Sequence, residues 1–187
     1  MPPLDLALLE TDRQLAANGI ATAYHALTLS WEPGLRSVAQ GERVLDGLAA
    51  LAPRLAAENR LQLRWETFCF EARPLIERAL GAAQTPSLAF NDHTSMAMLA
   101  PGLPLQTRPF DLAPDYPVVD LAQVATASKF AKRAARSGLE TGDYLRLLAE
   151  VWERRPQVGA AIAHMGARAR GHGAPILSHD DSPIETR

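Results

Sequence analysis

Apolar and polar positions follow two periods along this chain, and they divide it into alternating elements. Leu4 to Asn18 has helical spacing, with Leu8, Leu15 and several alanines on one stripe, and Asn18-Gly19 supplies a C-terminal stop. Ile20 to Leu29 reads as a strand that ends in Ser30-Trp31-Glu32-Pro33-Gly34, which is loop chemistry. Leu35 to Glu58 returns to helical spacing through Val38, Leu45, Leu48, Leu51 and Leu55. Pro53 lies inside that run and predicts a kink or a second short helix. Arg60 to Phe68 alternates polar and apolar, as a strand does. Pro74 to Leu80 predicts a short helix, and Ser87 to Phe90 a third strand that runs into Asn91-Asp92-His93-Thr94. Ser95 to Pro117 is rich in Pro and Leu without a period, which predicts a functional loop or lid. Helices follow at Val118 to Arg136, Thr141 to Arg155 and Pro156 to Arg170, the last stopping at Gly171. Ala174 to Ser178 is the final strand.

Strands that alternate with helices imply right-handed βαβ units and a parallel sheet, hence an α/β fold. In such sheets the chemistry sits at the carboxyl ends of the strands. Three of the four predicted strands end in ionisable residues: Glu66, then Asp92-His93, then His179-Asp180-Asp181. One such end is equally a solvated turn. Three on one side of a parallel sheet predict a shared polar site, with His179 as a metal-ligating imidazole and the aspartates as hard oxygens or a general base.

Composition narrows the function classes. The 187 residues fit one domain, spanning 1–187, with a sizeable core. A net charge of −2 gives no basic field for nucleic acid. Cys69 is the single cysteine, so no internal disulfide forms, which fits a cytoplasmic setting. No apolar run approaches the ~20 residues of a membrane span, and the start lacks a signal-peptide pattern. Abundant Ala, Leu and Arg predict that helix dominates.

The motifs Leu63-Arg64-Trp65-Glu66, Asn91-Asp92-His93-Thr94 and Leu177-Ser178-His179-Asp180-Asp181 occur in that order, with a helical insert before the last and Gly19-Ile20-Ala21-Thr22-Ala23 before the first. This ordered set resembles the phosphonate-metabolism amidohydrolases, the α-D-ribose 1-methylphosphonate 5-triphosphate diphosphatases of the carbon–phosphorus lyase pathway. The resemblance covers nearly all of the chain. It implies part of a (β/α)₈ TIM-like barrel of the amidohydrolase superfamily, about strands two to five of eight. It also implies hydrolysis of a phosphoanhydride bond in a phosphorylated sugar phosphonate, with release of diphosphate. On that resemblance Glu66, His93 and His179 are expected metal ligands for a divalent ion of the Zn²⁺ type. Asp92, Asp180 and Asp181 are expected catalytic or supporting members of the site.

The chain departs from the family in lacking the His-x-His or His-x-Asp motif of the first strand and the aspartate of the last. It is therefore expected to be a partial barrel, with negligible turnover alone and open edges that favour homo-oligomers or aggregation. Another amidohydrolase activity, on an amide or ester, fits the same features, as does a non-catalytic remnant or interaction module. Among the other candidates, His25 lies inside a strand and reads as a satisfied core histidine. His164, His172, Arg168 and Arg170 read as a solvated helix face, Cys69 as a small packed residue, and Met96 and Met98 as loop packing.

Overall fold

The structure is a computed structural model and describes residues 3–98 and 118–178. It is an α/β chain, 57% helical, built on four parallel strands. The elements are α1 (Leu4–Ala17), β1 (Thr22–Leu29), α2 (Val38–Leu51), β2 (Glu58–Glu66), α3 (Arg73–Leu80), β3 (Ser87–Asn91), α4 (His93–Met98), α5 (Val124–Arg136), α6 (Thr141–Trp152), α7 (Arg155–Gly171) and β4 (Ile176–Ser178). Short 3₁₀ turns at Ala52–Arg54 and Phe70–Ala72 complete them. The strands lie in chain order, β1-β2-β3-β4, and every neighbouring pair is parallel. All four strands therefore end on one side of the molecule, as the alternation of elements predicts.

The pleat separates two faces. Leu27 and Leu29 of β1, Leu61, Leu63 and Trp65 of β2, and Leu88 and Phe90 of β3 are buried in one core with Leu8, Leu48, Leu51, Leu75 and Ile76. Helix α2 packs closely on β1 at Gly41, where an added Cβ would meet Leu29 Cδ2. On the other face of β1 and β2 lie Thr22, Tyr24, Ala26, Glu58, Arg60 and Gln62. Thr22 Oγ1 donates to Glu58 Oε2 (3.0 Å), and Arg60 joins Glu58 (2.6 Å) and the Tyr24 hydroxyl (3.3 Å). This face is polar, because alternate positions of β1 and β2 carry hydroxyl, amide and charged side chains.

Several element boundaries differ from the sequence reading, each for a local reason. Helix α2 begins at Val38 rather than Leu35, because residues 31–36 fold back on the end of β1. Ser30 N–H donates to Arg36 O (2.8 Å), Ser37 pairs with Ser30, and Ser37 Oγ caps the helix at Gln40 N–H. Gly34, at φ +86°, makes that reversal possible. Pro53 opens a separate 3₁₀ turn, as its position in the run predicts. Helix α5 begins at Val124 rather than Val118, because the Asp120 carboxylate accepts Ala122 N–H (3.0 Å) and holds a turn there. Helix α7 runs through Gly171, and Gly173, at φ +68°, takes the left-handed position that ends it.

Residues 93–98, read as strand end and loop, form α4. Asp92 Oδ1 accepts Ser95 N–H (2.9 Å) and caps its first turn. The remainder of the predicted lid, residues 99–117, lies outside the described residues. So do His179, Asp180 and Asp181. No helix among the described residues is long and apolar enough to cross a membrane.

Candidate functional site

Three strand ends meet at the carboxyl side of the sheet. Strand β2 delivers Glu66 as its last residue, paired in register with Asn91 at the end of β3. The chain after β3 turns at Asp92 and brings His93 onto the Glu66 carboxylate. His93 Nδ1 lies 2.5 Å from Glu66 Oε1, and His93 N–H donates to Oε2 (3.1 Å). An ionised carboxylate only accepts, so the ring hydrogen sits on Nδ1.

The fold-back after β1 supplies the counter-charge. Arg36 Nη2 donates to Glu66 Oε1 (2.9 Å), and its Nη1 donates to Glu32 Oε2 (2.9 Å). Glu32 and Glu66 are both buried, and a buried carboxylate without a partner would be costly. One guanidinium spans the pair. Arg136 of α5 adds a longer contact to Glu32 Oε2 (3.6 Å). The Tyr144 hydroxyl on α6 donates to Glu32 Oε1 (2.8 Å). Burial foremost, and then the Glu32 charge, push the Tyr144 phenol above its ordinary value, so it stays a donor.

Side-chain contacts thus run without a break from Tyr144 through Glu32, Arg36 and Glu66 to His93. Trp31 closes the flank, its Nε1–H donating to Thr94 Oγ1 (2.9 Å), with Tyr144 packed beside it at 5.6 Å between ring centroids. The cavity enclosed among Glu32, Arg36, Glu66, His93, Arg133 and Tyr144 is only about 10 Å³, room for roughly one water. A larger apolar cavity of about 410 Å³ lies at the amino end of the sheet among Leu45, Leu48, Leu55 and Leu61. It presents no ionisable side chain.

The structure brings together two of the expected metal ligands, Glu66 and His93, with Asp92 adjacent to them. It leaves His179, Asp180 and Asp181 undescribed. Among the described residues no group of three or more His, Cys, Asp or Glu side chains could hold a metal ion. Both Glu66 oxygens already accept N–H donors, from Arg36 and from His93. In this arrangement Glu66 orients His93 rather than offering an open oxygen. That is the usual role of a carboxylate behind a metal-binding imidazole, where it fixes the tautomer and leaves the far nitrogen to the metal. A carboxylate behind an imidazole, as Glu66 stands behind His93, is an arrangement that metal sites use.

The sequence pattern did not single out Glu32, Arg36 or Tyr144. Glu32 follows the end of β1 as Glu66 ends β2, and Arg36 stands four residues on, which is the signal that was available. Tyr144 is 112 residues from Glu32, and nothing in the spacing links them. Cys69 is buried, and burial raises its thiol to about 12, so it stays protonated.

These features define an α/β chain with a parallel sheet and a buried, charge-compensated polar cluster at its carboxyl end. No protein-family model, curated protein or solved structure matches the chain.

Proposed function

We propose that this chain belongs to a metal-dependent hydrolase of the amidohydrolase type. It would act on α-D-ribose 1-methylphosphonate 5-triphosphate and release diphosphate, with the sheet as part of a (β/α)₈ barrel. One observation carries the reading. The motifs of the family resemblance fall at the ends of consecutive parallel strands, Glu66 closing β2, His93 following β3 and Ser178 closing β4 just before His179. A barrel places its ligands in this way.

His93 and His179 would hold the metal, with Glu66 fixing the His93 tautomer. A bound divalent ion lowers the pKa of water and polarises a phosphoryl oxygen. The chain's own residues have separate tasks. Arg36 bridges Glu66 and Glu32, Arg136 adds a second positive charge beside Glu32, Tyr144 donates to Glu32, and the Trp31–Thr94 hydrogen bond packs the flank beside His93.

Metal analysis of the purified chain tests the proposal. A divalent ion is expected to be retained by the wild type and lost in His93→Ala and in His179→Ala. In a polypeptide extended to eight strands, the same substitutions should abolish diphosphate release from the triphosphate. Retention of metal in both variants, or release unaffected by either, overturns the reading.

A further inference from the structure

The chain segments that follow β1 and β2 enclose a second space at the carboxyl side of the sheet. It is a cavity of about 370 Å³, closed on its far side by Leu147, Val151 and Arg154. Trp31 and Glu32 line both this cavity and the small one beside His93. Its volume falls in the range of small-molecule sites, roughly 300–1,000 Å³. Parallel sheets also take their ligands outside the carboxyl ends of the strands.

The lining has two parts. Trp31, Pro33, Val38, Leu147 and Val151 make most of it apolar. The ionic part is the pair Glu71–Arg154. Arg154 Nη1 donates to Glu71 Oε2 (2.8 Å) and to Phe68 O (3.1 Å), and Nη2 meets Glu71 Oε1 (2.8 Å). A guanidinium has five N–H donors and a carboxylate about four lone-pair sites. Among the described residues this fork leaves one N–H on Nη2 and the N–H of Nε uncommitted, and each Glu71 oxygen can accept again. The Glu71 side chain is 58% exposed and that of Arg154 30%, so a ligand in the cavity can reach both. The other polar groups of the lining are already engaged. Glu32 accepts from Tyr144 and Arg36, and Ser37 Oγ bonds to Gly34 O and Gln40 N–H.

We propose that this cavity binds an α-amino acid with a large aliphatic side chain. The ligand carboxylate takes the spare Arg154 donors, and its ammonium group takes the Glu71 carboxylate. The side chain lies against Val38, Leu147 and Val151. Charge decides the head group. The pair is neutral as a whole, so an acid without an amine meets repulsion from Glu71. An amine without an acid meets repulsion from Arg154. A zwitterion matches both members with charge-assisted hydrogen bonds. The proposal goes beyond the hydrolase reading and needs no metal at His93.

Calorimetric titration of the 187-residue chain tests it, with L-leucine as the probe. The controls are 4-methylpentanoate, which lacks the amine, 3-methylbutylamine, which lacks the carboxylate, and L-alanine, which lacks most of the side chain. Leucine is expected to bind about tenfold more tightly than each of them. Glu71→Gln leaves Arg154 unopposed, so its preference should move to 4-methylpentanoate. Arg154→Gln leaves Glu71 unopposed, so its preference should move to 3-methylbutylamine. Opposite changes of preference in the two variants cannot arise from lost folding, and the wild-type series decides even where a variant fails to fold. Equal binding of leucine and its two analogues by the wild type overturns the proposal, as does no detectable binding of leucine at millimolar concentration. A preference for leucine that survives in either folded variant overturns it as well.

Discussion

Replacing Asp12 tests how the amino end of the sheet is held. Asp12 sits on α1, and its carboxylate is buried. Oδ2 accepts Ala56 N–H (2.8 Å), while Oδ1 accepts Ala57 N–H (3.0 Å) and Asn59 Nδ2 (2.7 Å). These bonds tie α1 to the chain entering β2, and Asn59 passes the connection to His25 Nε2 (2.7 Å). Ala56 is exposed, so in Asp12→Ala its N–H turns to water. Ala57 and Asn59 are buried, and each loses a bond to a charged acceptor, worth ~1.5–3 kcal/mol. Water entering beside Ala56 favours the low end, for a total loss of about 3 kcal/mol. In a chain of this size that lowers the melting temperature by roughly 6–12 °C.

The pH dependence of that loss has a definite sign. The Ala56 N–H foremost, with Ala57 and Asn59 adding to it and burial opposing, holds the Asp12 carboxyl below its ordinary 3.8. A carboxyl depressed by folding contributes its full stability above the unfolded value, and loses it as pH falls through the folded one. The gap between wild type and Asp12→Ala should be complete at neutral pH and should close below about pH 4. Urea unfolding followed by tryptophan fluorescence at several pH values measures it. A gap under about 1 kcal/mol at neutral pH, or one that stays constant into acid, would refute the account of Asp12 as the lock between α1 and β2.

Two further substitutions probe packing. Tyr144→Phe keeps the ring but strips Glu32 Oε1 of its donor. It should cost about 1–3 kcal/mol in urea unfolding, and a loss too small to measure would mean that Arg36 alone satisfies Glu32. Gly41→Ala drives a methyl into the fully buried Leu29. Overpacking of ~1–3 kcal/mol should outweigh the helix-propensity gain of ~1 kcal/mol. In the control Gly159→Ala nothing lies within 4 Å of the new methyl, so that variant should be stabilised. The same sign of effect for both would count against the close approach of α2 to β1.

Much of this architecture was legible because burial wrote it into the period of the sequence. Strand β2 alternates buried and half-buried positions from Glu58 to Trp65, and the parallel order follows from strands separated by helices. Glu66 and His93 could be picked out because each is ionisable at a strand end. The six residues of α4 could not be read as a helix. Thr94 and Ser95 are buried whereas the apolar Met96 is exposed, so polarity runs against burial and hides the helical period, and the capping role of Asp92 was hidden with it. The start of α2 was misplaced because the bridge between Ser30 and Ser37 is a tertiary contact that overrides the local pattern of Leu35 and Val38. The reach of Tyr144 to Glu32 is likewise a product of folding. Resemblance named the expected ligands, but it gave no sign that Arg36 would occupy Glu66.

The two ends of the sheet solve opposite problems, and the difference bears on where chemistry can occur. At the amino end the buried polar groups close on one another. Asp12, Asn59, His25 and the backbone at 56–57 match donors with acceptors, and an apolar cavity is their neighbour. That pattern stabilises the fold, although Arg60 Nε is buried there without a partner among the described residues. At the carboxyl end Arg36 and Arg136 face Glu32 and Glu66, yet Thr67, Asn91 and Ser95 keep polar atoms in the interior unmatched among the described residues. A sequence able to satisfy Asn59 so fully has no general tolerance for orphaned amides. Departures from local consistency concentrate where function opposes stability. The parallel topology makes this separation possible, because every strand carries its last residue to the same side. Substitutions at Asp12 should therefore lower stability, whereas Asn91→Leu, which removes no internal hydrogen bond, should leave it unchanged or raise it.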